Sequence, residues 1–168
     1  MFDKFGEFDS YEEINRAAEA QLKEGDTEAI YKIAEENGLD KEDAEDFIDG
    51  CVYELATPLM AAVGKIKVES EELQLKGIVA DWRDVILEMC ANDQNMAVAV
   101  RKKAKQLKEC MASLIEFSFD NKVQVSNKII DICMVNHNGK REKFRGPLYL
   151  GFPSKSEAKK LISEYYLK

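Results

Sequence analysis

The sequence M-A-V-A-V-R-K-K-A-K-Q-L-K-E-C-M-A-S-L-I-E-F-S-F, running from Met96 to Phe119, decides the fold class of this 168-residue chain. Val100, Ala104, Leu107, Met111, Leu114 and Ser118 recur at alternating steps of four and three, the period that lines up one face of an α-helix. The other face carries Arg101, Lys102, Lys103, Lys105 and Lys108. The spacing predicts one long, basic, amphipathic helix that supplies packing and charge and no chemistry.

Toward the N-terminus, the same period recurs in shorter pieces separated by turn residues. Ser10 and Glu13 form the S-x-x-E capping box ahead of Ile14, Ala17, Ala18 and Leu22, and Gly25 supplies the stop. Asp26 caps a second helix ending at Asn37-Gly38, and Asp40 with Asp43 opens a third, whose apolar stripe reads on past Gly50 to Leu55. Thr57-Pro58 starts a fourth through Ile66, with Val68 to Leu75 as a connection. A fifth runs from about Lys76 to Ala91 with Trp82 on its buried face. Ahead of them all, Phe2, Phe5 and Phe8 suggest either an arm that docks its aromatics or a flexible start.

Beyond Asp120 the texture changes. Ser126 caps a short helix through Ile132. Cys133 to His137 and Lys140 to Phe144 read as strands around Asn138-Gly139, a dipeptide suited to the type I′ turn. Leu148 to Leu150, between Pro147 and Pro153, reads as a third short edge strand. Ser154 and Glu157 then open a last helix to Tyr166. The expected fold is mainly α: a multi-helix bundle with a small C-terminal α+β appendage made of a short β-meander and a helix. Residues 1–120 read as an acidic helical domain carrying the long basic helix, and 121–168 as a small basic α+β subdomain.

Charge is strongly partitioned. Residues 1–60 hold 18 acids and 5 bases, net −13; 61–120 hold 10 and 9, net −1; 121–168 hold 4 and 10, net +6. Such asymmetry bears on partners and not on fold. With 45% hydrophobic and 33% charged residues the composition is that of a helix-rich globular protein. No apolar run approaches the ~20 residues that span a bilayer. The mixed, acidic opening lacks a signal-peptide layout, so a cytoplasmic location without membrane contact is expected.

The chain has no phosphate-binding loop, dinucleotide fingerprint, nucleophile elbow or H-E-x-x-H, which argues against most nucleotide and acyl-transfer enzymes. Cys51, Cys90 and Cys110 sit among apolar residues and read as small hydrophobes. Cys133 and His137, the only histidine, form C-x-x-x-H, half of a zinc site at most; without a second ligand pair they read as independent residues. The acidic run Glu42, Asp43, Glu45, Asp46 and Asp49 has helical spacing and lacks the central glycine of a calcium loop, so it reads as a solvated helix face. No metal or cofactor is expected, and no catalytic residue is assigned.

Two surfaces remain as candidates. The acidic face, extended by Glu12, Glu13, Glu19, Glu24, Glu28, Glu35 and Glu36, suits a basic partner. The cluster Arg101, Lys102, Lys103, Lys105 and Lys108, joined by Lys128, Lys140, Arg141, Lys143 and Arg145, suits phosphates or an acidic partner, unless those bases pair with the acidic helices of the same molecule. Tyr149, Phe152, Tyr165 and Tyr166 read as the core of the α+β unit, the alternatives being platforms that stack on bases or anchors of a protein interface.

Several stretches together carry a resemblance: M-F-D-K-F-G-E-F-D-S at the start, E-D-A-E-D-F-I-D-G at Glu42 to Gly50, A-T-P-L-M-A-A-V-G-K at Ala56 to Lys65, V-R-K-K-A-K-Q-L-K at Val100 to Lys108 and S-E-A-K-K-L-I-S-E-Y-Y-L at the close. Through these the chain resembles, nearly end to end, small accessory (cargo) proteins of conjugative elements and phages of gut Firmicutes. The resemblance implies a mobile-element cargo protein, a setting that includes anti-CRISPR proteins binding Cas9-type effectors, and it transfers no site residues. The leading expectation is a non-enzymatic module that binds a larger protein, a Cas9-type nuclease being the concrete candidate. The alternative is a nucleic-acid-binding accessory or regulatory protein using the basic residues. Oligomeric state is left open.

Overall fold

The computed structural model of the protein describes residues 4–168, so Phe2 lies outside the described residues. Nine helices and four short strands follow in order: α1 (Tyr11–Glu24), α2 (Thr27–Glu36), α3 (Lys41–Ile48), α4 (Pro58–Leu73), α5 (Ile78–Asn92), α6 (Gln94–Arg101), α7 (Leu107–Asp120), β1 (Val123–Gln124), α8 (Asn127–Ile130), β2 (Met134–His137), β3 (Lys140–Lys143), β4 (Tyr149–Leu150) and α9 (Lys155–Leu167). The fold is mainly α with a small C-terminal region of short antiparallel strands and a final helix, as its sequence pattern predicts. Among the described residues no helix is long and apolar enough to cross a membrane.

The helix starts follow local chemistry. The side chains of Ser10, Asp26, Thr57 and Ser154 each accept a hydrogen bond from a backbone N–H of the following first turn. Asp40 with Asp43, and Ser154 with Glu157, complete capping boxes. Ser10 has only half of one, because the Glu13 carboxylate accepts from the Asp9 N–H instead. Gly25 closes α1 in the left-handed region at φ 76°.

Four expectations about elements are corrected. The predicted long helix from Met96 to Phe119 is two helices, α6 and α7, parted at residues 102–106, and Ala104 is exposed in the break. The third helix stops at Ile48; Gly50 turns at φ 74° and Cys51 faces solvent. Val68 to Leu75 is no connection, since α4 continues to Leu73. The third strand of the expected meander pairs elsewhere: β2 and β3 form a ribbon around Asn138-Gly139, both at positive φ, whereas β4 pairs with β1, placing Tyr149 opposite Gln124.

Two apolar cores result. The first gathers Ile14, Ile30, Ile33, Phe47 and Leu55 from α1–α3 and the loop before α4, with Phe5 and Phe8 packed against it; the arm docks its aromatics. The second gathers Trp82, Ile86, Val100, Leu107 and Leu114 from α5–α7, together with Ala158, Ile162 and Tyr166 of α9. Residues on both sides of position 120 therefore share one core. Helix α4 serves both, giving Ala61 to the first and Ala62 and Ile66 to the second.

The turn that ends α2, Asn37-Gly38, meets α4 at backbone distance. A Cβ on Gly64 would run into the carbonyl of Asn37, and one on Gly38, at φ 70°, into the carbonyl of Gly64. Alanine inside a free helix gains ~1 kcal/mol over glycine, so the two effects oppose each other at position 64. The close approach should win: Gly64→Ala is expected to lower the unfolding free energy by roughly 1–3 kcal/mol, read from the denaturant midpoint. A stabilised variant would show that the Asn37-Gly38 turn and α4 do not meet this closely.

Candidate interaction surfaces

Between the two cores lies a buried polar junction built around Arg101. This residue, 2% exposed, is the last of α6, and its guanidinium points inward. Nε donates to Phe8 O at 3.1 Å, one terminal nitrogen to Ala61 O at 3.3 Å, and the other to Asn37 Oδ1. One side chain thus joins the arm, α4 and the C-terminal cap of α2. Burial holds the Arg101 pKa below its ordinary value, opposed by Glu7, Glu69, Asp9 and Glu13. Arg101 is accordingly withdrawn from the basic surface on which the sequence period places it.

Lys65 does the same service for the break between α6 and α7. Its ammonium donates to the carbonyls of Lys102 and Lys105, and lies 3.4 Å from the Glu7 carboxylate. Glu69 accepts from the Leu107 N–H at 3.0 Å, capping α7, and Asp9 accepts from the Lys103 N–H at 2.8 Å. The backbone groups that a broken helix leaves open are thus met by side chains 37 to 94 residues away. Burial lowers the Lys65 pKa against the pull of Glu69 and Glu7, and raises that of Glu69 against the pull of Lys65. A cavity of about 180 Å³ opens among these groups. Lys65 and the junction left no periodic signal in the sequence, since a lone lysine within an apolar helix face reads as an interruption.

The rest of the basic cluster is dispersed. Lys102, Lys103 and Lys108 are exposed, whereas Lys105 donates to Tyr165 O at 2.6 Å and stands over the Tyr165 ring. None of these side chains forms an ion pair with α1–α3 among the described residues. Lys128, Lys140, Arg141, Lys143 and Arg145 are all exposed, the middle three on a β2–β3 ribbon whose residues all lie open to solvent.

On the acidic side, Glu36 is corrected from surface to interior. It is 1% exposed, and its carboxylate accepts from the backbone N–H groups of Lys4, Phe5 and Gly6, tying the arm to α2. Asp43 accepts from the Asp40 N–H, and Glu45 pairs with Lys41 at 2.7 Å. Glu42, Asp46 and Asp49 remain exposed and outside any ion pair among the described residues. The four C-terminal aromatics divide: Tyr166 is buried and the Tyr165 hydroxyl donates to the Glu109 carboxylate at 2.7 Å with Gln106 O 3.1 Å away, whereas Tyr149 and Phe152 stand half open. They rim an apolar groove whose other walls, Trp82 and Phe119, belong to α5 and α7.

Cys90 and Cys110 are buried, which pushes each thiol up to about 12. Cys133 immediately precedes β2 and His137 ends it, and Cys133 donates to Ile129 O. No cluster of three or more His, Cys, Asp or Glu suited to a metal ion occurs among the described residues. Comparisons of the chain with protein-family models, with curated proteins and with solved structures find no match. The surfaces themselves therefore carry the functional reading.

Two outcomes test the junction. Arg101→Ala leaves Phe8 O, Ala61 O and Asn37 Oδ1 without their donor, and should cost roughly 3 kcal/mol of stability or more while speeding amide exchange of residues 4–9. Glu69 is expected to make stability respond to acid. Because its folded pKa is raised above the ordinary 4.5, the folded protein takes up that proton before the unfolded chain does. The penalty for its buried charge is present above the raised pKa and is relieved as the pH falls through it toward 4.5. The wild-type protein should therefore gain stability relative to Glu69→Gln across that interval, measured by denaturant midpoints at stepped pH; a constant difference would contradict the assignment.

Proposed function

We propose that the chain is a non-enzymatic, cytoplasmic protein-binding module that meets a basic surface of a larger protein through α1–α3. The observation that supports this reading is the uncompensated acidic face. Glu42, Asp46 and Asp49 face solvent without ion pairs among the described residues, while Lys41 and Lys67, the bases that pair on this side of the molecule, are engaged with Glu45 and Asp40. Complementary charge of this kind speeds encounter and rejects wrong partners. The resemblance to mobile-element cargo proteins makes a Cas9-type nuclease the concrete partner, its basic nucleic-acid channel being the matching surface.

A second reading rests on the exposed β2–β3 ribbon. Lys140, Arg141 and Lys143 protrude on it without ion pairs among the described residues. With Arg145 nearby in sequence, and Lys102, Lys103 and Lys108 also exposed, they would neutralise phosphates of a nucleic acid. Binding of that kind weakens steeply as salt rises.

The test mixes the protein with a purified guide-loaded Cas9-type nuclease and follows both complex formation and DNA cleavage. The expected result is saturable inhibition near one molecule per nuclease. A Glu42→Ser, Asp46→Ser, Asp49→Ser variant should associate about tenfold more slowly or worse. Asp43 and Glu45 are left intact because they serve the cap of α3 and a pair with Lys41. Unchanged association in the variant would remove the acidic face from the reading. A gel shift with DNA or RNA at low salt, abolished by reversing the ribbon charges, would favour the second reading.

A further inference from the structure

The groove between α5, α7 and the Tyr149–Phe152 strap is a surface that the acidic-face reading does not use. Its walls are Ile78 and Trp82 of α5, Ile115 and Phe119 of α7, and Tyr149 and Phe152 of the strap. The strap lies directly on α7 because residue 151 is glycine; a Cβ there would strike the carbonyl of Ser118. Trp82 is buried at the floor with its ring edge-on to Phe152, centroids 6.5 Å apart. Phe119 at 64%, Phe152 at 57% and Tyr149 at 50% exposure leave large apolar surfaces in water, a costly arrangement for a surface that nothing covers.

We propose that this groove receives an amphipathic segment of a partner protein, one that presents one or two large apolar side chains flanked by carboxylates. Charge complementarity selects the flanks. Lys122 is the one charged residue in the lining among the described residues, and its ammonium lies 5.0 Å from the Phe119 ring centroid.

Two other occupants fit less well. A small molecule is held when 70–90% of its surface is enclosed, in sites of about 300–1,000 Å³; this groove holds about 310 Å³ and its walls stand open. A second copy of the chain paired about a two-fold axis through the groove would bring the two Lys122 ammonium groups together, and like charges juxtaposed at an interface oppose association. A protein segment escapes both objections. Its side chains fill the groove, and the body beside them excludes water from the rim.

The test uses Trp82, the only tryptophan, as the reporter. Two synthetic peptides share leucines at helical i, i+3, i+4, i+7 spacing; one carries glutamate at the remaining positions and the other lysine. The glutamate peptide should change Trp82 emission saturably, and the lysine peptide should bind at least tenfold more weakly. Phe119→Ser should abolish the response, and Lys122→Glu should reverse the preference; both residues are exposed, and circular dichroism verifies that the variants fold. Equal binding of the two peptides, or a Phe119→Ser variant that binds normally, overturns the proposal. Emission that depends on protein concentration alone would assign the groove to a second copy. A response to octanoate with none to either peptide would assign it to a small ligand. Both results also overturn it. Neither peptide nor variant touches α3, so failure here leaves the acidic-face reading standing, and the reverse holds.

Discussion

The Arg101 guanidinium is the constraint on which the rest of the arrangement depends. Its three hydrogen bonds reach the arm at Phe8, α4 at Ala61 and the end of α2 at Asn37, from the last residue of α6. A rigid planar fork with five donors can hold three separated acceptors at once, which the single ammonium of a lysine matches poorly. Helix α6 ends at Arg101, with Lys102 as its cap. Lys65, Glu69 and Asp9 then satisfy the backbone groups opened by the break. An enclosed cation of this kind is sustained by its hydrogen bonds more than by any single ion pair.

The junction also explains how two modest cores act together. Neither α1–α3 nor α5–α7 with α9 is covered on every side by its own residues. Helix α4 passes between them, and the Gly38–Gly64 contact lets α2 approach it at backbone distance. The arm, held by Glu36 through three backbone N–H groups, closes the remaining side. Charged groups are thus spent on architecture where the two cores meet, and the outer faces keep unpaired charge of opposite sign at the two ends of the sequence.

That separation gives the functional reading its physical content. The acidic end presents Glu42, Asp46 and Asp49 outside any ion pair among the described residues. The C-terminal end presents an apolar groove beside lysines and an uncovered two-stranded ribbon, a unit that is marginal when isolated. A molecule built this way has two chemically distinct outer faces.

Much of the fold was legible in the sequence because its signals are local. Ser10, Asp26, Asp40, Thr57-Pro58 and Ser154 each act on backbone within one turn, and Asn138-Gly139 needs nothing beyond its own two residues to favour the hairpin. The acidic character of α3 was equally plain from spacing. What only the tertiary structure decided was which polar groups were turned inward. The period from Met96 to Phe119 fits one helix, yet long-range hydrogen bonds to Lys65, Glu69 and Asp9 outweigh local propensity there and divide it. The same holds for Glu36, indistinguishable in sequence from its exposed neighbour Glu35 until the arm folds over it, and for the groove, whose walls come from residues 78 to 152. Local chemistry determined where elements begin; partners distant in sequence determined where one ends and which charges remain outside.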